Sequence, residues 1–203
     1  MKIFCVGRNY TEHAKELNNE VPDAPVIFMK PATALLKDNK PFYFPDFTKD
    51  LHYETEIVLR IGKNGKNIEE KFATKYIDAV TVGIDFTARD LQSKQKAKGL
   101  PWEISKAFDQ SAVVGKWIPV TEIKKLNHIN FCMYQNKTLK QKGNTKDLIF
   151  PMEKVISYIS SFFTLQKGDL LFTGTPVGVG QVNIGDKIEA FIENDSLLEF
   201  EIK

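Results

Sequence analysis

Two glutamates spaced by one residue, in His52-Tyr53-Glu54-Thr55-Glu56, are the first candidates for chemistry. On a β-strand alternate side chains share a face, which puts Glu54 and Glu56 on one side, about 6.5 Å apart along the chain. Carboxylates that close repel unless water solvates both or a cation sits between them. The spacing also fits a solvent-facing stripe of an antiparallel strand, with Tyr53, Thr55, Ile57 and Leu59 turned the other way. Asp85 lies in Gly83-Ile84-Asp85-Phe86-Thr87-Ala88-Arg89-Asp90, at the end of an apolar strand and just before a helix start. Rigid strand ends beside loops are where functional side chains are often carried. Helix capping accounts for Thr87 as the cap and Asp90 as its partner, and leaves Asp85 unexplained. With Glu54 and Glu56, Asp85 would complete an all-oxygen donor set suited to Mg²⁺ or Mn²⁺, leaving positions for water and substrate.

His13 and Glu16 stand three apart on a short helix predicted over Thr11 to Leu17, which puts them on one face. A carboxylate that accepts from one imidazole nitrogen raises the basicity of the other, as a general base requires. The same pair is also at home on a plain surface helix. Lys106 could pair with a substrate carboxylate, and the turn Thr173-Gly174-Thr175-Pro176 could orient one through a hydroxyl and backbone amides. An exposed lysine and an ordinary Gly/Pro turn are the alternatives.

Other chemistries are disfavoured. There is no Gly-x-Ser-x-Gly elbow, and Gly174-Thr175-Pro176-Val177-Gly178-Val179-Gly180 lacks both the phosphate-loop ending and the dinucleotide spacing. Three histidines and two distant cysteines, Cys5 and Cys132, do not make a nitrogen and sulfur zinc site.

The elements that must position these groups are mostly strands. They are expected over Lys2 to Val6, Val26 to Met29, Tyr53 to Ile61, Ala79 to Phe86, Ile129 to Tyr134, Leu170 to Thr173, Lys187 to Glu193 and Leu197 to Ile202. Further helices are expected over Glu69 to Tyr76, Thr87 to Lys98 and Met152 to Phe163, the last following Pro151. Strands that outnumber helices without alternating with them imply a β-rich α+β fold, a sandwich or rolled sheet with a few peripheral helices. Gly62 to Lys71 and Asn136 to Asp147 read as exposed loops or hairpin tips. At 203 residues, with Lys plus Arg at 28 against Asp plus Glu at 26, the chain is expected to form one domain without a strong field for nucleic acid or membrane. No apolar run approaches the ~20 residues of a membrane helix. The early charge at Lys2 argues against a secretory signal, and the sparse cysteines suit a reducing, cytoplasmic setting.

In order, these segments resemble the fumarylacetoacetate hydrolase superfamily, in particular its short acylpyruvate hydrolases. The resemblance runs from Val6-Gly7-Arg8-Asn9-Tyr10-x-x-His13 through Lys30-Pro31, His52-x-Glu54-x-Glu56 and Asp85-x-Thr87-Ala88-Arg89-Asp90-x-Gln92. It continues through Gly99-Leu100-Pro101-Trp102 and Lys106 to Gly168-Asp169 and Thr173-Gly174-Thr175-Pro176-x-Gly178-Val179-Gly180. It implies a mixed β-sandwich roll with short peripheral helices, usually a homodimer, and Glu54, Glu56 and Asp85 as ligands to Mg²⁺ or Mn²⁺. It further implies His13 and Glu16 as the hydrolytic dyad, Lys106 and Gln92 as substrate contacts, Thr175 in the turn that holds the substrate carboxylate, and Arg8 beside the same pocket. The activity it implies is metal-dependent hydrolysis of the C–C bond of acylpyruvates to pyruvate and a carboxylic acid, at a site also able to decarboxylate oxaloacetate. The alternative is an isomerase or decarboxylase of hydroxydienedioates.

Overall fold

The computed structural model describes residues 1–12 and 22–203. Its centre is an antiparallel pair, Thr55–Ile61 with Ile77–Asp85, rich in the β-branched Ile, Val and Thr that suit extended backbone. Both strands are covered on both faces, so they are near-continuous runs of buried residues rather than alternating ones. Around them a mixed sheet runs in the order Val26–Lys30, Ile3–Gly7, Leu170–Phe172, Thr55–Ile61, Ile77–Asp85, Ala112–Val114, Leu35–Leu36, with Ile118–Pro119 also beside Ile77–Asp85. A four-stranded antiparallel sheet is built from Thr138–Asn144, Asn130–Gln135, Lys187–Ile192 and Asp195–Glu201. Three short pieces, Gly180–Gln181, Leu51–Tyr53 and Thr87–Ala88, form a third. The strand-rich, curled architecture is the one expected.

The two faces of the central pair have different duties. Ile57, Leu59, Val80 and Val82 join the main core with Phe131, Met133, Ile188 and Phe200 of the four-stranded sheet. Val58 faces a smaller cluster with Ile3, Cys5, Ala112 and Phe172, and the candidate site lies beyond the end of that face. Each such buried aliphatic or aromatic side chain contributes roughly 1.5–3 kcal/mol. Helix Met152–Phe162 begins after Pro151 and buries Met152, Val155, Ile156 and Ile159, an i, i+3, i+4, i+7 stripe.

Two local expectations need correction. Thr87 does not cap a helix: it pairs with His52 in a strand, and the helix is Arg89–Ala97. Asp90 instead accepts from Thr48 Oγ1 at 2.6 Å and from the Leu91 N–H at 2.8 Å. The stretch 136–147 is not simply an exposed tip. Asn136 and Lys137 have φ of +52° and +63°, as a two-residue hairpin turn demands, and Thr138–Asn144 then pairs as a strand. No helix among the described residues is long and apolar enough to cross a membrane.

Candidate active site

Strand register brings the acids together. Thr55 pairs with Ile84 and Glu56 with Gly83, and the Asp85 N–H donates to the Glu54 carbonyl at 2.8 Å. Asp85 is thus placed across from Glu54 and on the face shared by Glu56. Glu54, Glu56 and Asp85 each offer an oxygen within 4.8 Å of the others, at exposures of only 5%, 2% and 1%. The solvent-facing stripe is therefore ruled out.

Cations surround the cluster. Lys106, ending the short helix Glu103–Lys106, places Nζ 2.7 Å from Glu54 Oε2 and 2.9 Å from Asp85 Oδ2. It is buried, not an exposed surface lysine. Burial acts to lower its pKa, but Asp85 and Glu54 overcome this and push it up to about 12. Lys106 is thus placed as a charge and hydrogen-bond donor to both acids. Lys30 Nζ lies 2.7 Å from Asp85 Oδ1 and donates to the Ser111 carbonyl and hydroxyl, both at 3.0 Å, and to the Lys106 carbonyl. Arg89 reaches Glu54 Oε1 at 2.5 Å and Gln92 Oε1 at 2.6 Å.

Glu56 differs from its neighbours. Among the described residues it forms no ion pair, and it accepts the Gly174 N–H at 2.7 Å. Burial, then the charges of Asp85 and Glu54, hold its carboxyl well above the usual carboxylate range. Three buried carboxylates, one of them without an ion pair among the described residues, make a hard, all-oxygen donor set whose mutual repulsion a divalent cation would relieve, so the residues present fit a metal.

The turn after Phe172 is clamped against the same strand. Thr173 donates through N–H and Oγ1 to the Ile57 carbonyl, at 3.1 and 2.9 Å. Asn9 donates to the Thr173 carbonyl at 2.8 Å and accepts the Phe150 N–H at 2.8 Å. Gly174 has φ +105°, and a Cβ there would lie 2.7 Å from Asn9 Cβ, so both conformation and space require glycine. Thr175 is buried beside it and accepts from Gln141 at 2.9 Å.

Arg8, Arg89, Gln92, Lys96, Trp102 and Lys106 share with Glu54 and Asp85 a cavity of about 30 Å³, enough for an ion or a water. Arg8 is held at φ +59°, and its buried Nε has no hydrogen-bond partner among the described residues. Burial, then Arg8 and Arg89, lower the Lys96 pKa, a sign that positive charge gathers at this mouth. A roomier groove of about 540 Å³, lined by Ile118, Lys125, His128 and Asp195 among others, is separate and includes none of the three acids.

Of the residues singled out from sequence, Arg8, Glu54, Asp85, Gln92 and Lys106 line one cavity, with Glu56 and Thr175 joined to it through the acid cluster and the Gly174 turn. His13 and Glu16 lie outside the described residues. Sequence reasoning passed over Lys30, Arg89, Asn9 and Gln141 as individual site groups. Lys30 carried one signal, a charge closing an apolar strand before Pro31; Gln141, in a polar run, carried none.

A roll of mixed sheets carries a buried acid triad, suited to a divalent cation, beside a lysine and a Gly/Thr turn, and comparison with known proteins places this arrangement in a family of enzymes. The family model described as fumarylacetoacetate (FAA) hydrolase C-terminal matches residues 2–203, and the chain belongs to that family. It is 44% identical over 203 residues to the mitochondrial oxaloacetate decarboxylase of Dictyostelium discoideum, covering 99% of this chain and 93% of that one. It is 42% identical over 202 residues to the mitochondrial oxaloacetate tautomerase FAHD1 of Arabidopsis thaliana, covering 100% and 91%. Among solved structures, fumarylpyruvate hydrolase from Pseudomonas aeruginosa, in complex with Mn²⁺ and pyruvate, superposes with a TM-score of 0.95 at 36% identity, covering 100% of this chain and 89% of the other. The protein is thus an enzyme of this family, with a buried acid triad suited to a divalent metal.

Proposed function

We propose that this enzyme acts on short 2-oxo carboxylates whose reaction leaves negative charge on the keto oxygen of a pyruvate unit, with oxaloacetate the leading substrate. The convergence of Glu54, Glu56 and Asp85 around Lys106 carries this reading. A divalent cation held by the three carboxylates would supply Lewis-acid stabilisation of that charge. Thr175 and Gln92 would orient the substrate carboxylate, and Arg8, Arg89 and Lys96 would favour entry of an anion. Lys106 would direct an N–H toward the oxygen where charge develops. In decarboxylation the C3–C4 bond breaks, CO₂ leaves, the electron pair passes to the keto oxygen, and a proton returns to C3 to give pyruvate.

Hydrolysis of acylpyruvates is the second reading, favoured by the His13 and Glu16 spacing and by the likeness to fumarylpyruvate hydrolase. It adds a water, deprotonated by His13 with Glu16 behind it, that attacks the distal acyl carbonyl. The two readings part at His13→Ala, assayed with Mg²⁺ or Mn²⁺ on oxaloacetate and on a panel of acylpyruvates. Acylpyruvate hydrolysis is expected to fall by about 10²–10⁴-fold while oxaloacetate turnover persists. Equal loss of both would give His13 a part in the shared step and contradict this division. Persistence of both activities after thorough chelation would overturn the metal reading itself.

A further inference from the structure

We infer that Gln141 is a positioning residue that sets the direction of the Thr175 hydrogen bond, keeping the Thr175 hydroxyl proton free for a substrate carboxylate. The inference rests on the reading of the Thr173–Pro176 turn as the carboxylate-binding turn, and it adds a residue that touches no substrate.

Gln141 comes from the second sheet and is 1% exposed. Its strand pairs Leu139 with Tyr134 and Gln141 with Met133, so Lys140 is an extra residue. That bulge changes the parity of the strand: Leu139 is exposed, whereas Gln141, two residues on, points inward. Once inside, its carboxamide has no freedom to flip. The Thr55 N–H, between two of the acidic residues, donates to Gln141 Oε1 at 2.9 Å. Gln141 Nε2 donates to the Pro176 carbonyl at 2.9 Å and to Thr175 Oγ1 at 2.9 Å. A backbone N–H can only donate and a backbone carbonyl can only accept, so the two main-chain partners fix which end of the amide is which.

The consequence falls on Thr175. Its oxygen is occupied as an acceptor by a group with no lone pair to offer, so its own proton cannot be spent on Gln141. Among the described residues the Thr175 hydroxyl donates to no acceptor. A buried hydroxyl held this way is a polarised donor awaiting an anion, and each bond in such a chain strengthens the next. Glutamate at 141 would keep the shape and still accept from Thr55, but its second oxygen would take the Thr175 proton and meet the Pro176 carbonyl as one acceptor facing another.

The test is a double-mutant cycle on the intact protein. Oxalate binding to the Mn²⁺-loaded enzyme and Mn²⁺ binding alone are measured by calorimetry for wild type, Gln141→Glu, Thr175→Val and the double variant. Gln141→Glu and Thr175→Val should each weaken oxalate by about tenfold, the worth of one well-placed hydrogen bond to a charged group. The double variant should bind no more weakly than Thr175→Val, and Mn²⁺ affinity should move by less than about threefold. A residue that merely supports the fold would instead give independent, multiplying losses. Those losses, or unchanged oxalate affinity in Gln141→Glu, would overturn the inference. Should Gln141→Glu not fold, Gln141→Met carries the same cycle, and any effect it has on oxalate must vanish in the Thr175→Val background. If Thr175→Val alone changes nothing while wild type binds oxalate, the inference fails and the metal site stands. If wild type with Mn²⁺ binds no oxalate at all, the proposed function falls and takes the inference with it.

Discussion

The central pair of strands carries an ion cluster at each end, and the two ends could hardly differ more. At one end Glu54 and Asp85 are buried with Lys106 and Lys30 within 2.9 Å. At the other, Arg60 meets Asp78 at 2.7 Å, with the side chains 38% and 35% exposed and the guanidinium 5.2 Å from the Trp117 ring. The distances are alike, the consequences are not. Water and salt screen the outer pair, which leaves it worth about 0–1 kcal/mol. At the inner end charges lose their hydration, and removing one partner strands the rest. A short ion-pair distance therefore says little until burial is known. The inner cluster is costly to the fold, which is physically reasonable where the acids exist to hold something else.

The sharpest break in this contrast is Asp85→Asn. It keeps the shape but leaves Lys30 and Lys106 short of a counter-charge, so we expect a loss of about 3–5 kcal/mol in denaturant unfolding and no measurable Mn²⁺ binding. A loss no larger than that of an exposed pair would erase the distinction between the two ends. Lys106→Met comes next. Turnover of oxaloacetate should fall about 10²–10³-fold while Mn²⁺ still binds, because in the proposed reaction the lysine would donate to the developing charge without being a metal ligand. Abolished metal binding would instead make Lys106 part of the metal's support.

Glu56→Gln gives the most discriminating stability measurement. A carboxyl whose folded pKa is raised binds more protons folded than unfolded, so metal-free stability falls as pH rises from the unfolded value, about 4.3, through the raised one. Without metal, Glu56→Gln should melt above wild type at pH 7, with the gap closing toward about pH 4.5, at roughly 2–4 °C per kcal/mol. Mn²⁺ should reverse the order by stabilising only wild type. A metal-free wild type as stable at pH 7 as Glu56→Gln would mean that the acid cluster is already relieved. The smallest effect is expected from Arg60→Ala at the outer end, about 1 kcal/mol or less with activity unchanged.

Parts of this arrangement were legible in the chain. The Glu54-x-Glu56 spacing gives a shared face from the two-residue period of a strand alone, and Asp85 stood out as the acid that capping could not explain. The helix after Pro151 was readable because its apolar stripe is local. Thr87 and Asp90 misled for the same reason that local rules usually succeed: their spacing is a good cap. His52 and Thr48, some forty positions away, claimed them instead. The stretch 136–147 looked like a tip because its charges are real, yet one bulge at Lys140 turns Gln141 inward.

By itself the sequence determined which segments are extended, which carboxylates share a face, and which family the ordered motifs resemble. Those properties depend on neighbours within a few residues or on motif order. Only the tertiary structure decided that the acids are buried, that Lys106 and Lys30 neutralise two of them while Glu56 stays without an ion-pair partner among the described residues, and that an amide from another sheet orients Thr175. Burial and hydrogen-bond direction belong to pairs of groups brought together from far along the chain, Thr55 and Gln141 standing 86 positions apart and Glu56 and Gly174 118. No local pattern encodes them, because a polar side chain takes its partner from whatever the packed sheets leave within reach.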